Sequence, residues 1–244
     1  GLCAGHGYSR NGNRAHGPRP QDFGAQQVEP ALGCEERLRD RRRLHGIVGD
    51  ATLEAATRAG YALHFVEVPW ARAQQSVRKG VDKLIIPLSR TPEREADYTW
   101  IAPIMTMDRA FFSLDKRVQS MQQARETFAR IAVGRGSAQE QKLRAEGFSD
   151  AQIYPFEIGE NPAQLLLMGR VDAWFNGIPE TQAIWRKLSN KTLQVSPSLM
   201  KTDLYLACSR QCDALLVRHL QAAVETLRKD GTLERIKNAY LKEP

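Results

Sequence analysis

Ser89, Thr91 and Arg94 fall within six residues, in the run Ser-Arg-Thr-Pro-Glu-Arg that follows the apolar stretch Leu84-Ile85-Ile86-Pro87-Leu88. Two hydroxyls, the backbone N–H groups of a turn and one guanidinium just past a buried strand suit a small carboxylate. The planar fork of Arg holds both carboxylate oxygens at once, which a lysine ammonium does not. The bland alternative is an exposed ion pair of Arg94 with Glu93 or Asp97, which contributes little. A second anion-binding candidate is Gly136-Ser137-Ala138-Gln139. A glycine and a hydroxyl at a helix start turn N–H groups and the helix dipole toward one point, although Ser is also an ordinary helix cap. Trp70, behind Pro69 at a strand end, stands where open α/β sheets place cleft residues. A core indole is the competing reading.

The elements needed to position these residues follow a regular rhythm. Apolar periodicity and Gly, Pro, Ser and Asp breakers predict helices over 50–59, with Asp50 as N-cap, and over 70–79. Strands are expected over 63–68 and 83–88. After an extended stretch at 111–114 the pattern repeats. Helices are expected over 120–129, 137–146, 161–168 and 178–188, and strands over 131–134, 152–156 and 171–175. Residues 190–202 read as irregular, 204–209 as a last apolar strand, 213–229 as a long amphipathic helix, and 232–240 closes the chain. Alternating strands and helices predict α/β sheets with crossover helices.

The run Val66 to Ile104 carries a resemblance. Its S-x-T-x-x-R turn followed by an aromatic and a Pro, together with Gly169-Arg170-Val171-Asp172-Ala173 before a strand, resembles the extracytoplasmic solute-binding proteins of ABC importers that carry polar amino acids. The resemblance covers about residues 46–240. It implies a two-lobed, periplasmic-binding-protein-like α/β fold with two hinge crossings. Lobe 1 would be 46–107 plus 203–244 and lobe 2 would be 108–202, with the ligand between them and hinge bending closing them. It also implies that Arg94 binds the ligand carboxylate, helped by Ser89 and Thr91. The site is completed by Ser137 and Ala138, where Thr is common in the family, and Trp70 packs on the ligand with Arg72 nearby. Asn176 follows the strand at 171–175. Many amino-acid-binding relatives carry Asp where this chain has Gly177, and Asp172 reads as structural.

The implied role is non-catalytic capture of an amino acid or organic acid for an ABC permease, by a periplasmic or extracytoplasmic monomer without cofactor, metal or membrane insertion. The alternatives are a ligand-sensing domain of a signalling system and a dehydratase-like enzyme on the same fold. The latter would draw its acid from Glu157, Glu160 or Glu180. No G-x-S-x-G, Walker, H-E-x-x-H or G-x-G-x-x-G pattern occurs. His64 reads as a half-buried strand residue and His219 as surface.

Composition sets the outer limits. The net charge of +7 invites a nucleic-acid reading, but residues 1–45 hold eight Arg against five acidic residues, so the excess over the remainder is small and dispersed. That first segment has no Lys and no apolar period, and it lacks the pattern of a signal peptide. It reads either as a disordered basic arm or as a segment translated in a shifted frame that replaces the usual first strand. Cys208 and Cys212 are too few for zinc. Cys208 is most simply a small core residue, and spacing leaves a disulfide between the two open.

Overall fold

The computed structural model describes residues 46–63, 68–157 and 159–241. The expected arm over 1–45, His64 and most of the strand over 63–68 lie outside the described residues. In chain order the elements are α1 (Gly46–Arg58), α2 (Trp70–Lys79), β1 (Leu84–Ser89), β2 (Tyr98–Ser113), α3 (Met121–Thr127), β3 (Ile131–Gly134), α4 (Ala138–Ala145) and β4 (Ile153–Phe156). There follow α5 (Pro162–Leu167), β5 (Ala173–Gly177), α6 (Ile178–Leu188), β6 (Gln194–Val195), β7 (Met200–Ser209), α7 (Ala214–Lys229) and α8 (Thr232–Leu241). The protein is a mixed α/β structure, as the alternating pattern predicts.

Contacts divide the chain into two compact units. One runs to Met105 and resumes at Asp203, and the other is Thr106–Thr202. Both β2 and β7 run through the division.

In the first unit β7 lies between β1 and β2. Strand β1 runs antiparallel to β7, with Leu84 opposite Cys208 and Ser89 opposite Leu204. Helix α7 turns Leu216, Leu220, Ala223, Val224 and Leu227 inward, the 3–4 spacing of one helix face. Asp213 caps it by accepting from the N–H groups of Leu215 and Leu216. Each fully buried Leu or Val contributes about 1.5–3 kcal/mol, so this face anchors the helix far more firmly than its propensity does. Cys208 and Cys212 form a disulfide. It closes the turn after β7, whose Gln211 carbonyl accepts from Asp82 N–H and whose Arg210 carbonyl accepts from the Thr99 hydroxyl.

In the second unit β3 pairs in parallel with β4 and with β5, and β5 pairs antiparallel with β2. Successive strand residues face opposite sides. Phe175 accordingly joins Phe111, Phe128 and Phe148 in one core, while Trp174 joins Leu166, Phe156 and Trp185 in another. Asp172 is structural, as expected, accepting from the N–H groups of Ala129 and Arg130 at 2.8 Å each.

Three local expectations change. Helix α1 is already formed at Gly46, so Asp50 is not its N-cap; its carboxylate accepts from Tyr240 Oη at 2.5 Å. Residues 190–202 are not wholly irregular, since β6 and the first residues of β7 pair along β2 or continue its ladder. That stretch is polar, and it is the neighbouring strand rather than any apolar run that supplies its hydrogen bonds. His219 is not a simple surface residue, because its Nδ1 lies 3.2 Å from Tyr61 Oη.

Candidate functional site

The first cluster is built on the turn after β1. Ser89 ends the strand and is 4 % exposed, Thr91 is 9 % exposed, and Arg94 is 4 % exposed. Arg94 N–H donates to the Thr91 carbonyl at 3.0 Å, and Asp97 N–H to the Arg94 carbonyl at 3.0 Å, which folds the turn back under itself. This brings Arg94 Nη1 to the Ser89 carbonyl at 3.1 Å. Desolvation lowers the Arg94 pKa to about 10, against smaller opposing effects of Tyr98 and Glu93. The guanidinium therefore remains charged at neutral pH. The Thr91 hydroxyl is buried and makes no hydrogen bond. A buried hydroxyl without a partner is an expensive arrangement unless a ligand completes it.

Arg90, between them in sequence, plays a different part. It is exposed, holds Glu95 through Nε at 2.8 Å and Nη2 at 2.5 Å, and lies 5.3 Å over the Trp100 ring and 5.1 Å over the Tyr205 ring. Arg90 thus makes an exposed ion pair with Glu95, which braces the outside of the turn. Trp70 opens α2 behind Pro69 and packs with Ala73, Val77, Ile85, Leu88 and Tyr98. Its ring helps carry the core beneath the turn, and Arg72 is exposed.

The second cluster lies in the other unit, at the C-terminal ends of β3 and β5, the edge of a parallel sheet where ligands bind. Between β3 and α4 the chain needs a positive φ at Gly136 (74°), which glycine adopts without steric cost. Ser137 Oγ donates to the Gly134 carbonyl at 2.6 Å and accepts from Glu140 N–H at 3.2 Å. Glu140 Oε1 accepts from Gly136 N–H at 2.7 Å, in the manner of a capping box. The Ser137 hydroxyl is therefore committed to the turn. What the turn offers an anion is the first-turn N–H groups of Ala138 and Gln139, which have no intrahelical acceptor. Arg135 faces outward to Glu157.

Asn176, at the end of β5, is 3 % exposed. Its Oδ1 accepts from Gln139 Nε2 at 3.2 Å, and its Nδ2 donates to Thr181 Oγ1 at 3.0 Å. Gln139 was read as part of the helix-start motif without a role of its own, and Thr181 escaped the sequence reading; their signal is an amide and a hydroxyl in the first turns of two helices that start at adjacent strand ends. Buried Arg109 also escaped it. Its Nη1 donates to the Met107 carbonyl at 3.0 Å and to Thr202 Oγ1 at 2.6 Å, and its backbone lies opposite Gly177 in the β2–β5 ladder. A Cβ on Gly177 would come 2.7 Å from Met107 Sδ.

The turn after β1 thus brings together Ser89, Thr91 and Arg94, with Trp70 in the core cluster of the same unit, and the C-terminal ends of β3 and β5 bring together Ser137, Ala138 and Asn176. Of the carboxylates considered as acids, Glu157 meets Arg135, and Glu160 accepts from Tyr154 Oη and Glu157 N–H. Among the described residues no group of three or more His, Cys, Asp or Glu could hold a metal, and no helix is long and apolar enough to cross a membrane.

The sequence profile of the bacterial extracellular solute-binding proteins, family 3, matches residues 36–243. No curated protein matches the chain. Among solved structures, a histidine kinase sensor domain with similarity to periplasmic binding proteins superposes with a TM-score of 0.73 at 21 % identity, over 84 % of this chain and 91 % of that one. The arginine-, lysine-, histidine-binding protein ArtJ of Geobacillus stearothermophilus gives 0.69 at 19 % identity, over 82 % and 87 %. An ancestral amino acid-binding protein, a precursor of cyclohexadienyl dehydratase, gives 0.68 at 22 % identity, over 79 % and 84 %. At these identities the likeness is one of fold.

Proposed function

The chain belongs to the bacterial extracellular solute-binding proteins, family 3, and we propose that it captures a small carboxylate-bearing solute, an amino acid or organic acid, between two closing lobes for delivery to an ABC importer. The observation that carries this reading is the turn after β1, where the Thr91 hydroxyl is buried without a hydrogen bond and the Arg94 guanidinium is buried in the same turn. In this reading Arg94 takes the carboxylate as a fork and Thr91 donates to it. In the other unit, the first-turn N–H groups of α4 are a further anion-binding element. The role in this reading is non-catalytic: Glu157 and Glu160 are committed to neighbouring groups, and Glu180 lies in the first turn of α6. Family membership and the Cys208–Cys212 disulfide support an extracytoplasmic site of action, where such bonds persist.

The ligand class follows from Gly177. Amino-acid-binding relatives often carry Asp at this position, which meets the ligand's α-ammonium. Here the position has no side chain and Met107 covers it. An ammonium buried without a counter-charge costs several kcal/mol, so the preferred ligand is an organic acid or an amino acid with a masked amine.

A thermal-shift screen of amino acids, their N-acetyl and 2-hydroxy analogues, and small dicarboxylates tests the reading. A ligand at 100 times its Kd adds about 2.7 kcal/mol of stability. The likeness to a kinase sensor domain favours sensing as the second reading. The two share the capture step and separate on the output, since a sensor's ligand alters a signalling partner and a transporter's ligand is delivered to a permease.

A further inference from the structure

We infer that Gln139, Asn176 and Thr181 form a reversible hydrogen-bond chain that lets one subsite accept either a donor or an acceptor from the ligand. The inference rests on the capture reading above and deepens it. Gln139 Nε2 donates to Asn176 Oδ1, and Asn176 Nδ2 donates to Thr181 Oγ1. Every link is an amide or a hydroxyl, and each of these groups carries both donor and acceptor capacity.

Turning both amides by half a rotation and rotating the hydroxyl preserves both bonds in the opposite sense. Thr181 then donates to Asn176 Oδ1, and Asn176 Nδ2 donates to Gln139 Oε1. Burial enforces the coupling, because turning any one member alone sets two donors or two acceptors face to face where no water can relieve them.

What the reversal changes is the free end. Thr181 is 0 % exposed, Asn176 3 % and Gln139 6 %, so all three are buried and Gln139 is the least so. In the present sense it presents its Oε1 acceptor, and in the reversed sense its Nε2 donor. It stands two residues beyond the Ser137 cap, beside the first-turn N–H groups of α4. A ligand's second polar group meeting it there selects the sense of the chain. A carboxamide N–H draws Oε1, and a carboxylate draws Nε2. The chemistry expected of this subsite is tolerance between isosteric amide and acid, where a fixed donor or acceptor would reject one of the two by leaving a buried polar group unpaired.

The test uses two isosteric pairs, L-glutamine with L-glutamate and L-asparagine with L-aspartate, each with its 2-hydroxy counterparts. Calorimetry on the full chain is expected to give Kd values within tenfold of each other inside a pair. In Gln139→Met, which keeps the apolar volume, both members should weaken by more than tenfold with the fold intact by circular dichroism. The direct readout is the side-chain NH2 of Asn176 in nuclear Overhauser spectra. It should lie next to the Thr181 methyl when the amide ligand is bound and next to the Gln139 Cγ protons when the acid is bound. Binding of a pair with the same Asn176 contacts in both complexes overturns the reversible chain and leaves the capture reading standing. Failure of the parent protein to bind any of these compounds, or any other carboxylate, overturns the capture reading itself.

Discussion

Met107 Sδ lies 2.7 Å from the point that a Cβ on Gly177 would occupy, with Met107 Cγ at 3.3 Å and Cε at 3.5 Å. The end of β5 is therefore closed by a thioether rather than open for a side chain. Gly177→Asp alone should overpack the site and cost about 1–3 kcal/mol, read as a lowered Tm. The double variant Gly177→Asp/Met107→Ala should recover most of that loss and shift preference toward free α-amino acids over their 2-hydroxy analogues. If the single variant is as stable as the parent, Met107 yields freely and does not define the subsite.

Burial ties Arg94 to both fold and ligand. Arg94→Met removes a buried charge together with its hydrogen bond to the Ser89 carbonyl, and taking one partner out of a buried charged arrangement is destabilising. The ligand-free variant should melt below the parent temperature and lose carboxylate binding. Retained binding would show that the guanidinium serves the fold alone.

Asp230 gives a pH dependence with a definite sign. Hydrogen bonds from Thr232, then from Arg58, hold its carboxyl well below the usual range. A depressed folded pKa means that the contribution is present above the unfolded value, about 3.9, and is lost as pH falls below it. Asp230→Asn should lower Tm at neutral pH, with the gap to the parent closing in acid. The site is exposed, so salt should narrow the gap as well. A gap that widens in acid would contradict this account.

The Cys208–Cys212 bond closes only a short loop, so its effect on the unfolded chain is modest, about 2 kcal/mol by loop entropy. Cys212→Ser or mild reduction should lower Tm by several degrees at most, without changing affinity at the turn after β1. A change in affinity with no change in Tm would connect the disulfide to the site.

Much of this molecule is legible in its sequence because local signals and tertiary packing agree. The helix at 70–79 and the strand at 131–134 fall where periodicity places them, and the buried turn with Ser89, Thr91 and Arg94 is marked by chemistry that burial would otherwise penalise. The strand that begins at Met200 was not legible, because its residues Met-Lys-Thr-Asp lack alternation and are held by the β2 ladder. Nor was the Gln139–Asn176–Thr181 chain, since its members lie 37 and 5 residues apart and only the parallel sheet brings two helix starts together. The Cys208–Cys212 spacing allowed a bond without requiring one. It takes the turn after β7, tied to Asp82 and Thr99, to bring the two sulfurs within bonding distance.

The central claim is that Arg94 holds a ligand carboxylate as a bidentate fork. Titration calorimetry of the best-stabilising carboxylate from the thermal-shift screen, on the parent and on Arg94→Lys, tests it most directly. A point charge cannot reproduce two parallel hydrogen bonds, and losing a charged buried bond costs about 1.5–3 kcal/mol. The account predicts affinity weakened by more than tenfold in a variant whose circular dichroism matches the parent, and equal affinity in the two proteins would contradict it.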